Sequence, residues 1–219
     1  MLHEVRRFAD SEAVATAAAE YVAKCARQTL EQKRHFTFAV SGGRSPWAMF
    51  EKLAHLDVAW VDVVIYQVDE RIAPVGDTTR NLTNLERSLG DSRATIVPMP
   101  VNEGDLDAAA TSYAQLLPDR FDLVHLGLGP DGHTASLIPG DPVLEVRDRL
   151  VAVTGVYQGE QRMTLTYDAL ARADQLLWLV TGDDKRTALA ELLRGDTSIP
   201  AGDVTAGASI VMADEAALA

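Results

Sequence analysis

The chain of 219 residues holds a single cysteine, Cys25. With no second thiol there is no internal disulfide, and Cys25, set in a helical pattern, reads as a small core residue in a reducing compartment. Long hydrophobic runs are absent as well. Apolar stretches break within about ten residues, against the roughly 20 that a spanning helix needs. The first ten residues have neither an apolar h-region nor a small-residue cleavage site. No secretory signal is read, and a cytoplasmic location is expected. Positive charge is scarce: 20 Lys and Arg stand against 32 Asp and Glu, a formal net charge of −12. That field disfavours nucleic acid and anionic membranes as partners. It also repels phosphorylated small molecules, so a phosphate site has to gather cations locally. A screening length of about 8 Å at physiological salt makes such a local reversal feasible.

What is present is an alternation without repeats or low-complexity linkers. Strands are expected at residues 3–8, 35–40, 61–68, 94–97, 121–126, 150–153, 175–180 and 208–212. Helices are expected at 13–32, from Pro46 onward, at 81–89, 105–117, after 161–166 to about 171, and at 183–194. Strands alternating with helices predict an α/β protein with a mostly parallel sheet and helices on both faces, here one domain over residues 1–219.

Open α/β sheets place their chemistry at the carboxyl ends of the strands, and several motifs fall there. The 121–126 strand runs into Gly127-Leu-Gly-Pro-Asp-Gly-His-Thr-Ala-Ser136, which presents Asp131, His133, Thr134 and Ser136 within six residues. Glycine, Gly129 among them, lets backbone approach a ligand closely, and His133 can exchange a proton near neutral pH. A single histidine can also be a purely structural residue; the flanking glycines and the nearby Asp131 favour a general base. The elbow spacing that would make Ser136 a covalent nucleophile is missing. His125, Asp131 and His133 have no metal-ligand spacing, so no metal is expected.

Ser41-Gly42-Gly43-Arg44-Ser45 lies between a strand and a helix opening on Pro46, where free N–H groups and the helix dipole attract an anion. A tight turn capped by serine reads equally well. Asp69-Glu70-Arg71 closes the 61–68 strand at the same edge; Arg71 can grip an anion bidentately, with Asp69 or Glu70 holding Arg71 or a sugar hydroxyl. The alternative is a solvated loop. Asn81 is a weaker candidate that could simply cap the next helix. Arg162 and Lys185 stand at strand and helix starts and could each neutralise a phosphate, although such residues are usually surface charges.

Taken in order, Val40-Ser-Gly-Gly43, Asp69-Glu-Arg71, Asn81, Gly127 to Gly140, Arg162-Met-Thr-Leu-Thr166 and Gly182-Asp-Asp-Lys185 resemble the 6-phosphogluconolactonase family. That family lies within the larger group that includes glucosamine-6-phosphate isomerases. The resemblance implies a Rossmann-like three-layer αβα sheet and hydrolysis of a sugar-phosphate lactone without metal, nucleotide or other cofactor. It implies His133 as general base, with Asp131 either orienting it or bracing the loop. It implies a phosphate grip by Ser41, Gly42, Gly43, Arg44, Arg162 and Lys185, with Arg71 on the phosphate or lactone side. Asp69, Glu70, Asn81, Gly129 and Thr134 complete the expected substrate site. Thr134-Ala-Ser136 follows His133 where isomerases typically carry a continuation with a glutamate, and that favours the lactonase. Ile138 stands where lactonases commonly have phenylalanine, and altered pocket packing is expected. The rivals are an isomerase of glucosamine 6-phosphate and a non-catalytic sugar-phosphate sensor. A monomer or homodimer is expected.

Overall fold

Helix α1 (Ser11–Leu30) starts where the extended Asp10 accepts a hydrogen bond from the Ala13 amide at 2.8 Å. That cap satisfies one of the helix's unpaired first-turn N–H groups. Its buried stripe is small, Val14, Ala15, Ala18, Ala19, Val22, Ala23 and Ala26, so the helix lies close against the sheet. These features come from a computed structural model that describes residues 2–219. The other helices are α2 (Arg44–Leu53), α3 (Asn81–Leu89), α4 (Leu106–Ala114), α5 (Tyr167–Leu170), α6 (Arg186–Arg194) and α7 (Glu215–Leu218).

Seven strands form one parallel sheet: β1 (Glu4–Phe8), β2 (Phe36–Val40), β3 (Val63–Gln67), β5 (Thr95–Val97), β6 (Leu123–Gly127), β9 (Gln175–Val180) and β10 (Ala208–Asp214). Their spatial order is β1-β10-β9-β6-β2-β3-β5. The two faces belong to different cores. Leu176, Trp178 and Val180 of β9 pack on one side with Tyr113 of α4 and Leu189 of α6, while Leu177 and Leu179 pack on the other with Val22 of α1 and Phe50 of α2. Burial on both faces explains why these strands read as apolar runs instead of alternating ones. The αβα layering and mostly parallel sheet expected from the pattern are what the structure shows.

Three further strands, β4 (Asp69–Arg71), β7 (Val151–Val153) and β8 (Arg162–Leu165), form a separate antiparallel sheet in the order β4-β8-β7. Residues 69–71 are thus a strand, which sets aside the alternative of a solvated loop, and the expected strand at 150–153 joins this small sheet instead of the parallel one. The handover occurs at Val68: its N–H bonds the Val40 carbonyl (2.9 Å), whereas its own carbonyl accepts from Leu165 (2.7 Å). Smaller shifts concern element ends. Residues 60–62 form a 3-10 turn instead of opening β3, α4 stops at Ala114, and β10 continues to Asp214, whose carboxylate caps α7 through Ala217 (2.9 Å).

Candidate active site at the carboxyl edge

The carboxyl ends of β2, β6, β9 and β10 meet β4 and β8 around one cavity of about 690 Å³. Of the expected site residues, Ser41, Gly42, Gly43, Arg44, Asp69, Arg71, Asn81, Gly129, His133, Arg162 and Lys185 line it. Glu70, Asp131 and Thr134 do not.

The Ser41 turn is tethered from the sheet centre. Its backbone N–H donates to Nδ1 of His125 at 3.3 Å, and His125 is fully buried. Burial pushes the His125 imidazole down to about 3, so it stays neutral. Gly42 is required by close approach: a Cβ there would lie 1.9 Å from Oδ1 of Asn81. Asn81 in turn donates to the carbonyl (3.0 Å) and carboxylate (3.2 Å) of Asp69. Asp69 also accepts the Ser136 hydroxyl at 2.6 Å. Burial raises the Asp69 carboxyl above its ordinary value against the downward pull of Ser136 and Arg162.

Glu70 is a correction. Its carboxylate accepts from the backbone amides of Arg71, Asn81 and Leu82 at 2.7–2.8 Å and from Gln67 at 2.9 Å, and it pairs with buried Arg80 at 3.4 Å. A carboxylate committed to the first amides of α3 complements that helix's positive end and lies off the cavity wall. Thr134 is the second correction: buried, it donates to the Gly127 carbonyl (2.8 Å) and ties the loop to its own strand. Ile138 is buried off the cavity wall, so the packing change expected there does not reach the site.

His133 faces the cavity with Asp131 behind it. The ring Nδ1 lies 2.5 Å from Oδ1 of Asp131, and the His133 backbone N–H donates to the same oxygen at 3.2 Å. Partial burial pushes the Asp131 carboxyl up, but the His133 charge, its ring and backbone N–H groups and the Tyr157 hydroxyl outweigh this and hold it below the ordinary value. An ionised Asp131 keeps the proton on Nδ1 and leaves Nε2 free as an acceptor. Gly129 permits this packing: a Cβ there would sit 2.1 Å from Nδ1 of His133.

Cations line the wall at Arg44, Arg71, Arg162 and Lys185, alongside the carboxylates of Glu12, Asp69, Asp183, Asp184 and Asp214. Arg71 and Arg162 are direct partners in the antiparallel β4–β8 register. Like charges opposite one another destabilise a sheet unless something lies between them or neutralises them. Here Arg71 pairs with Glu160 (3.3 Å) and the Arg162 guanidinium lies over the Tyr157 ring (5.2 Å to its centroid). Nε of Arg162 and the hydroxyl of Ser41 are buried without a protein partner. Lys185 sits beside Asp184 at 3.3 Å. Among the described residues no three His, Cys, Asp or Glu side chains gather as a metal-ligating group.

Tyr157, Glu160 and Thr181 were not anticipated from the sequence, whereas Ser45 closes the expected Ser41–Ser45 motif. Ser45 and Thr181 share a hydrogen bond of 2.7 Å that joins the α2 start to the end of β9. Tyr157, Glu160 and Thr181 carry no local signal; only the hairpin and the sheet crossing bring them to the site.

Fold and cavity together define an αβα protein with an arginine-lined cleft and a carboxylate-paired histidine at the edge of its parallel sheet. The sequence model described as glucosamine-6-phosphate isomerases/6-phosphogluconolactonase matches residues 9–212. A 6-phosphogluconolactonase of Synechocystis is 34% identical over 179 residues, 75% of this chain and 74% of that protein. The chain therefore belongs to the glucosamine-6-phosphate isomerase/6-phosphogluconolactonase family. The crystal structure of a 6-phosphogluconolactonase from Thermotoga maritima superposes with a TM-score of 0.87 at 28% identity, covering 97% of this chain and 100% of that one. A monomeric glucosamine-6-phosphate deaminase also reaches a TM-score of 0.87, at 18% identity over 98% of each chain, so the fold alone does not separate the two activities.

Proposed function

We propose that His133 is the general base with which this chain hydrolyses 6-phospho-D-glucono-1,5-lactone to 6-phospho-D-gluconate in the oxidative pentose phosphate pathway. The observation that carries this reading is His133, backed by Asp131, on the wall of the cavity that Arg71 and Arg162 also line. Nε2 of His133 takes a proton from water as its oxygen attacks C1. The tetrahedral intermediate then expels the ring oxygen, which receives that proton from His133. Lactone and water thus become the open acid, which ionises, and the histidine returns to its neutral form. In this reading backbone N–H groups at the glycine turns support the oxyanion.

Arg162, Lys185 and the Ser41–Gly43 turn grip the phosphate in this reading. Arg71 becomes available when the substrate displaces Glu160. The chemistry so written uses no metal or nucleotide. The same reading takes the enzyme to be cytoplasmic and either a monomer or a homodimer.

His133→Ala tests the assignment through lactone hydrolysis above the spontaneous rate. Loss of acid–base help is expected to lower kcat by about 10²- to 10⁴-fold, with product affinity nearly intact. A variant that keeps most of its turnover removes His133 from the mechanism. Ammonia release from glucosamine 6-phosphate by the wild type would instead support an isomerase.

A further inference from the structure

We infer that Tyr157, at the tip of the β7–β8 hairpin, is a positioning residue for the His133–Asp131 pair, acting through Asp131 and not on the substrate. The inference rests on the reading of His133 as the general base. The Tyr157 hydroxyl donates to Oδ2 of Asp131 at 3.0 Å, while Oδ1 takes the His133 ring and backbone N–H groups at 2.5 and 3.2 Å. The carboxylate is thus held through both oxygens, which fixes its rotation. The Tyr157 ring also meets the His133 ring edge-on, with centroids 5.7 Å apart and planes at 65°.

The hairpin is shaped to deliver this phenol. Tyr157 and Glu160 exchange backbone hydrogen bonds of 2.9 and 3.2 Å around Gln158 (φ 53°) and Gly159 (φ 85°). Two successive left-handed residues make the tight turn that suits twisted antiparallel strands. Gln158 adopts that conformation without being glycine, a strain that tends to persist where the surroundings over-determine the backbone. Tyr157 is half-buried and belongs to neither hydrophobic core, so packing does not explain it. Burial, followed by the bond to Asp131, pushes its phenol up, so it remains a protonated donor at neutral pH. The charged and titratable groups facing it are Asp131 and His133 from the β6 loop and Arg162 from β8.

Tyr157→Phe keeps the ring and removes the donor. Asp131 then carries more charge toward His133 and favours the imidazolium, so the acid limb of kcat/KM against pH should move up by about half to one unit. Plateau kcat should fall about three- to tenfold, in keeping with one lost hydrogen bond, while KM stays within about twofold. Tyr157→Ala, which also deprives Arg162 of its ring, should in addition raise KM about threefold. A Tyr157→Phe profile that superimposes on the wild type, or moves down, overturns the inference; a merely structural tyrosine would lower Tm without moving the limb. His133→Ala separates the two readings. If that variant keeps its turnover, the general-base assignment fails, and the Nδ1–H proton resonance of His133 decides the role of Tyr157. A shift of that resonance in Tyr157→Phe supports positioning, and an unchanged resonance refutes it.

Discussion

The seven-stranded parallel sheet and the three-stranded antiparallel sheet contribute different things to one cavity. The parallel sheet brings backbone: its strand ends deliver the Ser41 turn, the His133 loop and the Gly182–Lys185 turn, each held by apolar burial on both faces. The small sheet brings charge. Its β4–β8 pairing sets Arg71 opposite Arg162, and its hairpin carries the groups that attend them, Glu160 and Tyr157. The parallel sheet thus holds His133, while the paired ends of β4 and β8 hold the two arginines. Changes to the first should register in stability, and changes to the second in substrate affinity.

The largest effect should come from the parallel sheet. Leu177→Ala, in fully buried β9, is expected to cost about 2–5 kcal/mol of unfolding free energy, with KM of the folded enzyme unchanged. Urea denaturation alongside steady-state kinetics measures both, and a KM that rises with the lost stability would erase the division. Arg162→Met, which keeps the buried stem but removes the guanidinium, tests the other side. It should lower kcat/KM on the order of 10- to 100-fold, mostly through KM, as loss of a charge-assisted contact does. Circular dichroism should show an unaltered fold.

His125 offers the finest discrimination. Its folded value is depressed to about 3 from an ordinary 6.5, so the unfolded chain takes up a proton that the native one refuses. The stabilisation is complete above pH 6.5 and is lost progressively as pH falls toward 3. Between pH 7.5 and 5.5 this one group should remove about 1 kcal/mol of stability. His125→Gln, which can still accept from the Ser41 amide, should flatten that part of the pH–stability curve. An equally steep curve in the variant would mean that other groups carry the dependence.

Much of the parallel sheet was legible because its signal is local. Apolar runs such as Gln175–Val180, closed by Thr181-Gly182, announce a strand and its end with no knowledge of their neighbours. The Ser41–Gly43 turn and the Gly127–His133 loop were legible for the same reason, since glycines after a strand mark a change of backbone direction. The small sheet was not legible in this way. Asp69–Arg71 is too short for a period to show, and its pairing with β8 joins Asp69 to Thr164, far along the chain; the strand at 150–153 was read, but not the sheet it joins. Glu70 shows the cost of reading charge alone: three adjacent charges suggested a ligand grip, but one of them caps α3 from the core.

The sequence by itself determined the alternation of strands and helices, the glycine turns at the strand ends and the histidine among them, because periodicity, turn chemistry and side-chain type are properties of neighbouring residues. Only the tertiary structure decided which charges face the cavity. Arg71 meets Arg162, Tyr157 reaches Asp131 and Glu70 turns inward because an antiparallel register and a hairpin fold place them so, and those contacts join groups that have no relation along the chain.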